Sequence, residues 1–236
     1  MLSIHMIELR LYGVMILLSI LIGMGYIYLS LKEEIKKNKL ILLYYLLYVV
    51  CAFLFGKYYT MITTGEFDII KAGLSSYGGL LGVVFSSYVF ERIIPLNNKL
   101  IKSSIISLPL VYGISKLACF FAGCCDGIPY TGLFNIVYPF QRNINQFPIQ
   151  IVETISFILL FIIVNKMRNN KYISYITFIL ALVLKFSLDF FRYDHITIIL
   201  SKNQIFSIVL FVVTLFLFIR KLIYEKKTIT KIERHT

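Results

Sequence analysis

Four charged residues fall inside long apolar runs of this sequence: Lys116, Glu153, Lys185 and Asp189, with Arg192 at the end of the last run. A charge at the centre of a membrane helix costs about 2.5–3.5 kcal/mol on insertion scales, which marks it as a functional suspect. The spacing of these residues is as informative as their type. Lys185, Asp189 and Arg192 stand at i, i+4 and i+7, which gives them one helix face. Gln150 and Glu153, at i and i+3, share another. A plain reading makes Lys185–Asp189 and Lys116–Glu153 ion pairs that tie helices together. That reading leaves the Gly-rich stretches Gly78-Gly79 and Gly123-Cys124-Cys125-Asp126-Gly127 unused. There a backbone can approach another backbone, or a ligand, closely. Cations gathered at one depth also suit an anionic head group.

The elements that must position these residues are membrane spans. The chain has 236 residues, is 58% hydrophobic and 15% charged, and has no Trp. Soluble domains are nearer one quarter charged. The apolar excess is blocked into 11–31, 40–56, 74–90, 103–122, 149–164, 172–191 and 204–219. Blocks of this length suit helices crossing a hydrocarbon core of roughly 30 Å. The expected fold is therefore an all-α integral membrane protein, about seven spans in one bundle and one domain (1–236), with no repeat or linker to divide it.

Orientation follows from Lys and Arg. Sixteen of the 24 fall in the first, third and fifth connections and the tail. Six (Arg10, Lys57, Lys71, Arg142, Arg192 and Lys202) fall on the opposite face, and Lys116 and Lys185 lie within spans. The positive-inside rule then puts the N-terminus outside and the C-terminus in the cytoplasm. With that topology Tyr12, Tyr77-Gly78-Gly79, Lys116, Gln150, Glu153, Lys185, Asp189, Arg192 and Gln204 all come to the outer leaflet, from six spans. Scattered structural pairs would not gather at one level.

Other classes are excluded on the same grounds. The net charge of +12 sits in short loops beside apolar blocks, where it sets topology and meets anionic lipid, so nucleic acid is not an expected partner. The N-terminal segment contains Glu8 and a long apolar run without a small-residue cleavage site, so it reads as a retained span. Cys51, Cys119, Cys124 and Cys125 lack paired Cys-x-x-Cys or Cys/His spacing. No metal, disulfide or cofactor is expected. The longest connection, 123–148, reads as an external loop capping a site or resting on the bilayer, and 220–236 as a basic cytoplasmic tail.

Six segments carry a resemblance. RLYGVMI (10–16), YGGLLG (77–82), KLACFFAGCCDG (116–127), FPIQIVE (147–153), KFSLDFFRYD (185–194) and NQIFS (203–207) resemble, in order, the motifs of the prolipoprotein diacylglyceryl transferase family. These are multi-pass enzymes of the bacterial cytoplasmic (inner) membrane. The resemblance implies transfer of the diacylglyceryl group of phosphatidylglycerol to the lipobox Cys thiol of a secreted prolipoprotein, releasing glycerol phosphate. It implies Lys116, Lys185, Tyr77 and Glu153 as catalytic residues. It implies Tyr12, Lys57, Gly78, Gly79, Gly123, Gly127, Gln150, Asp189, Arg192 and Gln204 as substrate-binding ones. Lys116 and Lys185 would face the phosphate that gains charge.

The sequence departs from the family pattern at these positions. Lys replaces Arg at 116, 185 and 57, and Lys binds phosphate as a point charge without a bidentate fork. Tyr77 replaces the motif His, and a phenol is a poor base at neutral pH. Cys119, Ala122 and Cys124 replace motif Asn and Glu residues, and Gln146-Phe147 replaces Arg-His. The alternatives are a divergent or inactive homologue that binds or carries lipid, and a structural partner in a membrane assembly.

Overall fold

The computed structural model describes residues 2–69, 73–137 and 144–233, with side chains described between 11 and 227. Lys71, Arg142 and Arg234 of the charge count lie outside the described residues. Seven helices of 17 residues or more are found among those described. They are α1 (Leu2–Ser30), α3 (Leu43–Thr64), α4 (Ser76–Ile93), α5 (Lys99–Phe121), α6 (Ile149–Lys166), α7 (Ile173–Asp189) and α8 (Lys202–Glu233). A short α2 (Lys32–Lys37) follows α1. Five segments are long and apolar enough to cross a membrane: Leu11–Ser30, Lys39–Thr64, Lys99–Phe121, Ile149–Lys166 and Lys202–Lys227. Their outward faces carry large apolar side chains such as Leu46, Ile62, Val212 and Phe216, all more than half exposed. In water such a surface would be a liability; in lipid it is ordinary.

Several helices run past their apolar blocks. α3 continues beyond Lys57 to Thr64, and Gly65 ends it in the left-handed conformation at φ 75°, its N–H bonded to Met61 O. α8 continues through the basic tail to Glu233. Hydropathy marks where lipid is tolerated, whereas a helix ends where its capping chemistry ends.

α5 is the central helix, packed against α1, α4, α6 and α7. Its small buried Ser103, Ser104 and Ser107 let neighbours close in. Fully buried Tyr44 of α3 bonds Ser87 of α4 at 2.7 Å and Ser104 of α5 at 2.8 Å, pinning three helices. Glu91 starts α5: its carboxylate accepts Leu96, Leu100 and Ile101 backbone N–H groups at 3.0–3.3 Å. α3 and α4 touch backbone to backbone, because a Cβ at Gly78 would overlap Phe55 O and one at Gly82 would overlap Cys51 O. Gly82→Val is expected to cost about 1–3 kcal/mol by overpacking. A lowered melting temperature in detergent, with Gly79→Ala nearly unchanged, checks it; Gly79 has only Ala52 O within reach, at 3.7 Å.

The connection from 123 to 148 is partly ordered structure rather than plain loop. Strands β1 (Ile136–Val137) and β2 (Asn145–Gln146) pair antiparallel. Residues 126–128 lie along 191–193: Ile128 N donates to Phe191 O and Tyr193 N to Asp126 O, each at 3.0 Å. A Cβ at Gly127 would overlap Phe147 O, so only glycine lets this segment lie against the backbone at Phe147, whose N–H bonds Ile128 O at 2.9 Å.

Candidate active site

Glu153 is the hub of the site. It sits in the second turn of α6 with no solvent exposure. Lys116 Nζ of α5 lies 3.3 Å from its Oε2, and Lys185 Nζ of α7 lies 3.0 Å from its Oε1. Arg192 donates to both oxygens at 3.0 and 3.3 Å, and Tyr112 OH donates to Oε1 at 2.9 Å. Asp189 is the second hub. Its Oδ1 takes Lys185 at 2.7 Å and lies 2.8 Å from Arg192 Nε, while its Oδ2 accepts Ser201 Oγ at 2.9 Å. Three cations thus share two carboxylates within this network, so positive charge is in excess. Lys116 and Lys185 are each 4% exposed. The low dielectric around them strengthens every interaction listed here and makes an unpaired charge costly.

The network forms one wall of a cavity of about 700 Å³. Tyr12, Tyr77, Gly79, Lys116, Lys185 and Arg192 line it, with Cys119, Cys124 and Cys125. Glu153 and Asp189 stand behind the cations rather than on the wall. A lipid head group entering the cavity would meet cations first and carboxylates only through them.

A family model described as prolipoprotein diacylglyceryl transferase matches residues 1–220. The chain belongs to that family. A protein of Chloroherpeton thalassium named phosphatidylglycerol–prolipoprotein diacylglyceryl transferase is 26% identical over 174 residues, covering 68% of this chain. The chain spans 65% of that relative's length. The family-like segments converge in space: KLACFFAGCCDG closes α5, FPIQIVE opens α6, KFSLDFFRYD ends α7 and NQIFS opens α8.

The other residues singled out by resemblance divide into two groups. Tyr12, Tyr77 and Gly79 face the cavity. Tyr77 OH bonds Ser207 Oγ of α8 and its ring meets Phe206 at 5.5 Å, so it also joins α4 to α8. Gly78, Gly123, Gly127, Gln150, Gln204 and Lys57 are not on the cavity wall. Gly78 and Gly127 serve backbone packing, as described above, and Gly123 turns the chain at φ 63°. Lys57 lies over the Phe53 ring at 5.9 Å. Gln150 Nε2 holds Cys124 O at 2.9 Å.

Gln204 belongs to a capping box. Its Oε1 accepts Ser201 N at 2.9 Å, while Ser201 Oγ accepts Gln204 N at 3.1 Å, starting α8. Arg192 reaches the network by a different route from the one expected. α7 ends at Asp189, and Arg192 is extended backbone (φ −88°, ψ 150°) held by the ladder to 126–128.

Two contributors escaped the sequence reading although each had a signal. Tyr112 is four residues before Lys116, hence on the same helix face, and its ring lies under Lys116 at 4.9 Å and Lys185 at 5.9 Å. Ser201 opens an S-x-x-Q pattern, the signature of a capped helix start. Linear spacing alone gives the cysteines no common site. The turn after α5 in fact folds Cys124 and Cys125 back beside Cys119.

Proposed function

We propose that this protein transfers the diacylglyceryl group of phosphatidylglycerol to the lipobox Cys thiol of a secreted prolipoprotein, at the outer face of a bacterial inner membrane. The observation that carries this reading is the meeting of Lys116, Lys185 and Arg192 on the wall of one cavity, backed by Glu153 and Asp189. Seven spans in a single domain, with the N-terminus outside and the C-terminus cytoplasmic, put that wall in the outer leaflet. Substrate lipid and secreted acceptor meet there.

In this reading Lys116 and Lys185 bind the phosphate of the lipid and stabilise the charge that grows on it as the glyceryl C–O bond breaks. Arg192 adds a planar fork to the site. Glu153 and Asp189 position these cations and keep them charged. Tyr112 supports both lysines from below, and Tyr12 and Tyr77 border the space for the glycerol portion. Membranes containing the protein, given labelled phosphatidylglycerol and a lipobox peptide, are expected to release glycerol phosphate and lipidate the peptide. Saturable lipid binding without turnover on any lipobox peptide would make the protein a lipid carrier instead.

A further inference from the structure

The proposed transfer lacks a group to make the acceptor thiol a nucleophile. The thiolate, not the thiol, attacks, yet among the described residues lining the cavity there is no Asp, Glu or His. What the wall does hold is sulfur. Cys119 lies in the last turn of α5, and Cys124 N donates to Cys119 O at 3.0 Å. Gly123 (φ 63°) and Cys125 (φ 59°) are both left-handed. That conformation is uncommon for a residue with a Cβ, and here it returns the chain over the helix end. The three Sγ atoms all lie within 4.8 Å of one another, and Cys119 and Cys125 are 4.0 Å apart.

Those distances select among occupants. The sulfurs are free thiols, about twice the 2.05 Å of a disulfide apart. Three thiolates at about 2.3 Å from one zinc ion would stand roughly 3.8–4 Å from each other; Cys119 and Cys125 are at 4.0 Å, and the full set, within 4.8 Å, needs only a small contraction to reach that spacing. Gln150 anchors the turn through Cys124 O. Lys116 and Arg192 line the same cavity as the three cysteines, and their positive charge would offset that of a thiolate centre.

We propose that Cys119, Cys124 and Cys125 form a site for a soft divalent ion of zinc type, whose remaining coordination position faces the cavity and takes the acceptor thiol as a thiolate. Three protein ligands with a fourth position open is the pattern of catalytic zinc. The inference rests on the transferase reading for its role, though not for the binding of metal. On binding, each thiol that becomes a ligand loses its proton to water, the acceptor thiol included. The bound sulfur then attacks the glyceryl carbon beside the phosphate. An S–C bond forms, the C–O bond breaks, and its electron pair leaves on the phosphate oxygen of glycerol phosphate. Nothing is oxidised or reduced.

The test uses the full chain in detergent under reductant, stripped by chelator and titrated with Zn²⁺, or with Co²⁺ as a spectroscopic probe. One equivalent should bind with thiolate-to-cobalt charge-transfer absorption, lost in Cys119→Ser and Cys125→Ser and kept in Cys51→Ser. Stripped wild-type protein should bind labelled phosphatidylglycerol unchanged, transfer at least tenfold more slowly, and recover with Zn²⁺. Because stripping needs no mutation, a variant that fails to fold does not remove the test. Stoichiometric metal binding no greater in wild type than in the triple Ser variant overturns the site. Undiminished transfer by stripped protein overturns the acceptor role and leaves the transferase reading standing. Bound metal with no transfer in either form ends the transferase reading and the acceptor role with it.

Discussion

Lys116→Gln and Lys185→Gln should each lower transfer from labelled phosphatidylglycerol by about 10²–10³-fold, the range seen when one preorganised oxyanion donor is removed. Glutamine keeps a hydrogen-bonding head on a side chain one atom shorter and removes the charge, so the comparison with Arg at the same position isolates the charge. Each lysine touches Glu153 on one side and the cavity on the other, and the missing charge is the one that would face the departing phosphate. Lys116→Arg should retain transfer, since guanidinium keeps the charge and adds a fork. Release of labelled glycerol phosphate, normalised to membrane-inserted protein, is the measurement. Full activity in both Gln variants would remove the cationic wall from the mechanism.

Glu153→Gln should act on the fold before it acts on chemistry. Three cations rely on this one buried carboxylate. Removing one partner of a buried pair costs about 3–5 kcal/mol, because the other charge is stranded. Here Lys116 loses its ion-pair partner among the described residues, while Lys185 and Arg192 are left to share Asp189. Unfolding of the detergent-solubilised variant should begin at markedly lower temperature than that of wild type, while Gln150→Ala at the turn should show a smaller shift. A Glu153→Gln protein as stable as wild type would mean the lysines can shed their protons or reach water, and the site is wetter than its burial indicates.

Much of this arrangement was legible beforehand, for a definable reason. A charge in an apolar run has few places to go, so Lys116, Glu153, Lys185 and Asp189 announced one another across more than seventy residues. Helix extents were less legible. α3 and α8 outrun their hydropathy because polar residues such as Thr63 and Glu225 continue a helix without continuing a span. Glycines were less specific than charges: Gly78 and Gly127 suit close approach of either a backbone or a ligand, and here a backbone arrives at both, which residue type alone does not decide. Arg192 was grouped correctly by helical spacing, although the helix stops three residues short of it. The cysteine cluster was hidden because a left-handed turn at Cys125 cannot be foreseen from residue type.

The Lys116–Glu153 pair joins consecutive helices, and this bears on how the chain is built. Alone, either helix would carry a bare charge into hydrocarbon, at a cost of about 2.5–3.5 kcal/mol if centrally placed. Entering together as a hairpin, α5 and α6 cancel those charges before α7 is made, and α7 brings its own Lys185–Asp189 pair already matched within one helix. Where the opposite signs fall along the chain thus favours biosynthesis by paired insertion, with Arg192, beyond the end of α7, bringing the excess positive charge last.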